Sequence, residues 1–348
     1  MIIQRSNGDV FFSNSLIQNI FYNFENPIID LLVNSDTLKT AKLIPNINNI
    51  IEFSYEKKRE KGYKYLINLF INTYKKYDYS INLTSSDRSV LLSMISGRKS
   101  ISVVDIEFRK SWWKKLFLTH HYLPAKNKHI LEEILFPLSF LNLHYLKRLH
   151  QFIDAKIPFS LEKKLPTEKF LIFHPCAQYE YKVLPLKLRN QLLEKLSKLD
   201  IPIVITGSSS SLDNAIKDSI PDFKNLFNII GETTLSDFVS LSKLSLGYIG
   251  MDTLNMHIAA SQDKPVFAIF GPTNIYKWAP WSNKLEKNMF LNKPFQKHEK
   301  IRVFQANLPC VACGKAGCQD LHQMSECLNY IDIDKIVNEV KNAFKINN

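Results

Sequence analysis

Gly250-Met251-Asp252-Thr253-Leu254-Asn255-Met256-His257 is the stretch on which the fold turns. The short apolar run 246–249 ends in Gly250, and a helical apolar period begins at Thr253. This reads as a buried strand passing into a helix, with Asp252 at the expected N-cap. The free N–H groups and the positive dipole end of such a helix attract a phosphate. Thr253 and His257 are four residues apart, share one helix face, and can both donate to a diphosphate held there. An ordinary cap followed by a hydrogen-bonded core histidine fits the same residues.

Working outward, the same alternation continues on both sides. Strands are expected at 170–174, 202–206, 227–230 and 266–270, with helices at 186–199, 235–244, 253–261 and 334–344. The first third alternates in the same way, with strands at 1–5, 28–33, 47–53, 77–83 and 97–104 and helices at 10–24 and 64–74. Strands separated by helices of this length imply βαβ units and parallel sheets. Residues 108–149 read as helical and rich in aromatic and basic side chains. The stretch 152–167, with Pro158 and Pro166, reads as a linker. The expected organisation is a first α/β domain over 1–155, a linker over 156–168 and a second α/β domain over 169–332. A terminal helical segment over 333–348 is a candidate for packing back on the first domain.

Ten glycines serve 348 residues, and five of them (Gly8, Gly207, Gly231, Gly250 and Gly271) are expected just past strand ends. In open parallel sheets ligands bind at that edge, where glycine lets backbone approach a ligand closely. Apolar residues make up 45% and charged residues 22%, a globular composition that excludes a disordered or fibrous chain. The net charge of +12 points to an anionic partner: nucleic acid, nucleotide or acidic membrane surface. No run of 18 apolar residues is present, and Met1-Ile2-Ile3-Gln4-Arg5 lacks a signal-peptide h-region, so a cytosolic chain is expected.

Two further segments carry chemistry. His174-Pro175-Cys176-Ala177-Gln178-Tyr179-Glu180-Tyr181-Lys182 leaves a strand's carboxyl end and brings one ammonium to the crevice. There it can neutralise charge growing on a leaving diphosphate, although a solvated loop lysine would look the same. Asn7-Gly8-Asp9 follows the first strand, and its carboxylate can act as a general base or cap the next helix. Neither G-x-G-x-x-G nor G-x-x-x-x-G-K-[ST] occurs, which argues against a dinucleotide dehydrogenase and a P-loop NTPase.

Taken in order, these segments resemble the ADP-heptose:lipopolysaccharide heptosyltransferase family. The carriers are Asp252-Thr253, Met256-His257, Ala259-Ala260, Lys264-Pro265 and Phe270-Gly271-Pro272-Thr273, with Gly8-Asp9 and His174-Pro175…Lys182…Pro185 before them. The resemblance runs over about residues 1–335. It implies a GT-B fold, two Rossmann-like domains whose parallel sheets face across a cleft, and an inverting glycosyltransferase. Asp9 would deprotonate the acceptor hydroxyl, while Lys182, Thr253, His257 and the helix start after Gly250 would hold the ADP diphosphate. Asp252 and Gln178 would lie at the donor. No cofactor would be required for catalysis. The implied partners are ADP-heptose and Kdo-lipid A or inner-core lipopolysaccharide, at the inner face of the cytoplasmic membrane. The chain departs from the family pattern at Leu254 and Cys176, each replacing a glycine, and at Asp213, where a glutamate is usual. Another nucleotide sugar with the same fold is one alternative. A non-catalytic nucleotide- or nucleic-acid-binding protein is another, although no nucleic-acid module is recognisable.

Cys310, Cys313, Cys318 and Cys327 could close a structural zinc site. Reduced packing cysteines or a labile disulfide fit the same spacing. Arg109, Lys110, Trp112, Trp113, Lys114 and Lys115 combine cations with interfacial aromatics, suiting an anionic glycolipid or headgroup surface. A half-buried amphipathic helix would read the same way.

Overall fold

The computed structural model describes residues 1–125 and 127–346, and of Phe108 only the backbone. It divides into two compact units, Met1–Phe152 and Ile153–Asn348.

The first unit holds strands β1 (Ile2–Ile3), β2 (Asp30–Asn34), β3 (Asn49–Phe53), β4 (Tyr77–Asn82), β5 (Gly97–Val103) and β6 (His120–Tyr122). All pair in parallel, in the order β3-β2-β1-β4-β5-β6. Its helices are α1 (Asn7–Asn23), α2 (Leu38–Ala41), α3 (Tyr55–Thr73), α4 (Asp87–Ser96), α5 (Phe108–Phe117) and α6 (Ile130–Leu135). Strand β2 is buried at every position, as a parallel strand covered on both faces must be. Its one carboxylate, Asp30, is satisfied by Tyr77 Oη (2.7 Å), Asn48 Nδ2 (3.0 Å) and Lys76 Nζ (3.1 Å).

The second unit holds β7 (Leu171–His174), β8 (Ile203–Ile205), β9 (Leu226–Asn228), β10 (Gly247–Met251), β11 (Val266–Ile269), β12 (Phe295–His298) and β13 (Ile301–Phe304). Their order is β12-β13-β11-β10-β7-β8-β9, parallel except for the β12–β13 pair. The helices are α7 (Phe159–Glu162), α8 (Leu186–Ser197), α9 (Ser211–Asp218), α10 (Leu235–Leu244), α11 (Leu254–Ser261), α12 (Ile275–Trp278) and α13 (Ile333–Phe344). Read from β9, the first five strands repeat the 3-2-1-4-5 order of the first unit. Each unit is therefore a doubly wound, Rossmann-like domain. The order reverses between β1 and β4 in one and between β7 and β10 in the other, and in open parallel sheets the crevice that takes a ligand forms at the carboxyl edge of that reversal.

Several expectations are corrected. Residues 108–149 are not continuously helical: α5 is followed by β6, by α6 and then by an irregular segment. That segment bonds to α1 rather than to itself. Asn14 Nδ2 donates to the carbonyls of His150 and Gln151, Asn19 Nδ2 to that of Leu146, and Asn23 Nδ2 to that of His144. Side-chain amides thus supply the partners that a helix would have supplied.

The expected linker belongs to the second domain. Lys243 Nζ meets Asp154 Oδ2 at 2.8 Å, the Ala155 N–H donates to Ser240 Oγ, and Lys164 pairs with Glu232. The terminal helix packs within the second domain. Ile333, Ile336, Val337 and Val340 join the core that contains Leu192 and Leu196 of α8, and Lys195 pairs with Asp334. Residues 347 and 348 of that expected segment lie outside the described residues. Of the five glycines, Gly207, Gly231 and Gly271 lie beyond strand ends, but Gly8 is in the first turn of α1 and Gly250 is inside β10.

Candidate active site

The second domain's crevice is built from the ends of β7 and β10. Beyond β7 the chain makes a 3-10 turn over Glu180–Lys182, closed by the Lys182 N–H donating to the Tyr179 carbonyl at 3.0 Å. Val183 and Leu184 are buried immediately after it, which fixes the turn to the core. Lys182 is thereby held so that its Nζ lies 3.0 Å from Asp252 Oδ2. The lysine side chain is 26% exposed and the carboxylate 7%, so the cation faces the crevice and the anion lies beneath it. Tyr179 and Tyr181 stack with centroids 5.2 Å apart on the same turn.

Gly250 is explained by packing. A Cβ at this position would collide with the His174 carbonyl oxygen on the neighbouring strand, so only glycine lets β10 and β7 approach this closely. Asp252 does not cap α11. Thr253 occupies the N-cap position with no side-chain cap bond, because the Asp252 carboxylate is turned to Lys182. The Thr253 hydroxyl lies 3.3 Å from Tyr248 Oη, which donates to the Met251 carbonyl. The first N–H groups of α11 thus lack a side-chain cap at the edge where Lys182 stands. His257 is buried one turn further on, and Gln178 is exposed in the preceding loop.

Several residues to which the sequence alone assigned no site role support this arrangement. His174 Nδ1 lies 2.9 Å from Thr206 Oγ1 and 3.4 Å from Asn255 Nδ2. Burial lowers its pKa from 6.5 to about 4, so it is a neutral brace joining β7, the end of β8 and α11. Asp213 Oδ2 accepts both the Ser208 N–H and the Ser208 hydroxyl at 2.7 Å, which shapes the loop after Gly207. Cys176 fills the space beside Gly207. Burial and the nearby Asp213 carboxylate push its thiol pKa far up, so it stays protonated. The His174 contacts join residues 32 and 81 positions apart, which no local spacing signals.

In the first domain, Ser6 rather than Asp9 caps α1. Ser6 Oγ accepts the Asp9 N–H at 3.4 Å and donates its own hydrogen to Asp9 Oδ2 at 2.7 Å. Arg5 Nε stands 3.3 Å from Asp9 Oδ1. The carboxylate is buried at the carboxyl end of β1, beside the switch point of its sheet. At the same edge, Arg88 lies 4.0 Å over the Phe53 ring and donates to Gln4 Oε1 and Tyr55 Oη.

The basic aromatic helix α5 divides. Lys114 is 1% exposed and bonds to Asp105 Oδ2 (2.6 Å), Asp87 Oδ1 (2.8 Å) and the Ser85 carbonyl (2.6 Å). It is a structural cation, not a surface contact. Trp113 packs against Val90, Val104 and Leu118. Arg109, Lys110 and Trp112 are exposed, as are Leu116 and Phe117, while Lys115 is half-buried.

Of the cysteines expected as zinc ligands, Cys327 is buried and Cys310, Cys313 and Cys318 are exposed. Among the described residues no three His, Cys, Asp or Glu side chains are arranged to hold an ion. All five cysteines are free thiols. Burial, together with the thiols of Cys318, Cys313 and Cys310, raises the Cys327 pKa to about 11.

Comparison with known proteins bears on this geometry. The sequence profile of glycosyltransferase family 9 (heptosyltransferase) matches residues 73–306. Lipopolysaccharide heptosyltransferase 3 of Escherichia coli is 24% identical over 298 residues, covering 81% of this chain and 85% of that protein. Lipooligosaccharide heptosyltransferase 2 of Campylobacter jejuni subsp. jejuni serotype O:2 is 23% identical over 299 residues, covering 79% and 87%. In fold, the chain resembles the solved E. coli ADP-heptose LPS heptosyltransferase II, with a TM-score of 0.70 at 18% identity over 98% of this chain and 97% of that one.

Proposed function

The chain belongs to glycosyltransferase family 9, the heptosyltransferase family, and from that premise we propose that it moves heptose from ADP-L-glycero-D-manno-heptose to the Kdo or inner-core region of lipopolysaccharide. The observation that carries this reading is the Lys182–Asp252 pair at the uncapped start of α11, on a switch-point crevice. A diphosphate bound there meets a cation and free backbone N–H groups. Lys182 is released from Asp252 toward phosphate oxygens as charge develops on them. Thr253 and His257 belong to the same helix and complete the donor side. The names of the relatives, heptosyltransferases of lipopolysaccharide and of lipooligosaccharide, support heptose as the sugar and this class of glycolipid as the acceptor.

In this reading the reaction is a direct displacement with inversion. The acceptor hydroxyl oxygen forms a bond to the anomeric carbon, the bond from that carbon to the diphosphate oxygen breaks, and ADP leaves with the bonding electrons. The hydroxyl proton passes to the Asp9 carboxylate. Arg5 and Ser6 hold that carboxylate in place. The basic excess suits an anionic acceptor. Arg109, Lys110 and Trp112 are the α5 residues we assign to the acceptor or headgroup surface, with Lys114 and Trp113 withdrawn from that set. Among the described residues no helix is long and apolar enough to cross a membrane; the contact we propose is peripheral, on the inner face of the inner membrane.

The test is transfer from ADP-heptose to Kdo-lipid A, followed by mass spectrometry, for the wild type and Asp9→Asn. The amide keeps the shape and the Arg5 and Ser6 neighbourhood but cannot take the proton. We expect kcat to fall by about 10²–10⁴ with little change in Tm. A fully active Asp9→Asn enzyme would remove the base assignment. Transfer only from a different nucleotide sugar would remove the donor.

A further inference from the structure

Helix α3 carries apolar residues on its outer as well as its inner side. Its inner side sends Tyr65, Leu66, Leu69 and Phe70 against Ile2, Leu32, Phe53 and Leu92, which is the face an amphipathic helix must bury. Gly62, with φ 54°, interrupts the helix, and a second stripe begins beyond it. Tyr63, Ile67 and Ile71 follow at four-residue spacing and are 70%, 47% and 68% exposed; Tyr74, just past the last turn, is 67% exposed. Steps of ~100° per residue put 63, 67 and 71 within roughly 80° of arc, centred about 130° round the helix from the partly buried four. Single exposed apolar side chains are ordinary, but a line of them along one helix marks an interaction surface.

The stripe continues across the layer. Leu92 of α4 joins the α3 cluster, while Val90 and Met94 of α4 pack with Trp113 of α5, so α4 lies between its two neighbours. Leu91 of α4 and Trp112 and Leu116 of α5 are 40%, 50% and 71% exposed. Around the stripe, residues 55–76 carry seven Lys and Arg against two Glu. Tyrosines and isoleucines on one side with lysines around them are the composition of a helix lying in a bilayer interface, its apolar face at the acyl boundary and its cations among phosphates. A protein partner or a second copy would meet a surface depleted in lysine. We propose that the outer face of α3, continued by α4 and α5, is the docking surface of this enzyme on an anionic lipid bilayer. The inference rests on the reading above only in taking the acceptor to be lipid-anchored.

The experiment uses the full chain and vesicles of phosphatidylcholine with and without phosphatidylglycerol. Wild type should sediment with the anionic vesicles, and Ile67→Glu/Ile71→Glu should bind roughly tenfold more weakly or worse, with Tm unchanged because both positions are exposed. Lys64→Glu, which leaves the apolar stripe whole, should weaken binding to the anionic vesicles alone. Equal sedimentation of wild type and variants, or none by wild type, overturns the proposal. So does a dimer that Ile67→Glu/Ile71→Glu dissociates while vesicle binding persists. Transfer to a deacylated, water-soluble acceptor should be the same in wild type and variant. Its absence from both would count against the heptosyl reading and leave the vesicle result standing.

Discussion

Lys182 has two partners in view, Asp252 in this structure and a diphosphate in the proposed complex. Lys182→Ala removes the cation and leaves a carboxylate that is 7% exposed facing the site where phosphate should sit. Both effects oppose anion binding. ADP affinity should fall by about tenfold to a hundredfold by calorimetry, since a hydrogen bond between charged groups contributes about 1.5–3 kcal/mol. Asp252→Asn/Lys182→Ala should recover part of that loss, because the uncompensated negative charge is gone. An unchanged ADP affinity in Lys182→Ala would remove the lysine from the site. Each of these residues was recognisable alone, from a strand end and a helix start. Their ion pair was not, because 70 positions separate them and only the adjacency of β7 and β10 brings them together.

Among elements, α5 shows how composition and placement part company. Its run of cations and tryptophans suits a surface, yet one lysine in the middle of it is the electrostatic link between α5, α4 and the loop after β5. Lys114→Ala removes the buried cation while its partners Asp105 and Asp87, 30% and 71% exposed, regain water, so it should cost about 1.5–3 kcal/mol of stability. Lys115→Ala next to it should stay within about 0.5 kcal/mol in chemical denaturation. Similar costs for the two would contradict the burial of Lys114. Strand β6 escaped notice because three residues carry no legible period and its partner β5 supplies the pairing. Most of the long strands and helices were readable within a few residues, but α3 begins at Tyr55 rather than at 64 and α4 was not expected. The Gly62 break of α3, and with it the outward stripe, was not, since a helical period counts apolar residues without saying which side the sheet covers.

At the scale of the whole molecule, one buried group links pH to the integrity of the second domain. His174 is neutral in the fold with a pKa of about 4, whereas an unfolded histidine titrates near 6.5. Below pH 6.5 the unfolded chain takes up a proton that the folded domain refuses, so stability is lost as pH falls from 6.5 toward 4 and the loss is complete below the folded value. Tm should decline across that window by more than in His174→Gln, whose amide can meet Thr206 without titrating. A parallel decline in both would exclude this histidine as the cause. The alternation of strands and helices, the glycine-to-helix passage at 250–257 and the ordered segments around Asp9 and Lys182 were determined by the sequence, because they depend on local period, turn chemistry and chain order. Only the tertiary structure decided that Gly250 serves strand packing, that Lys114 is internal, that residues 153–168 and the terminal helix belong to the second domain, and that Asp252 holds Lys182 instead of capping α11. Each of those turns on which distant backbone or side chain comes alongside, and proximity between remote residues is created by the sheet order, not by the spacing of letters along the chain.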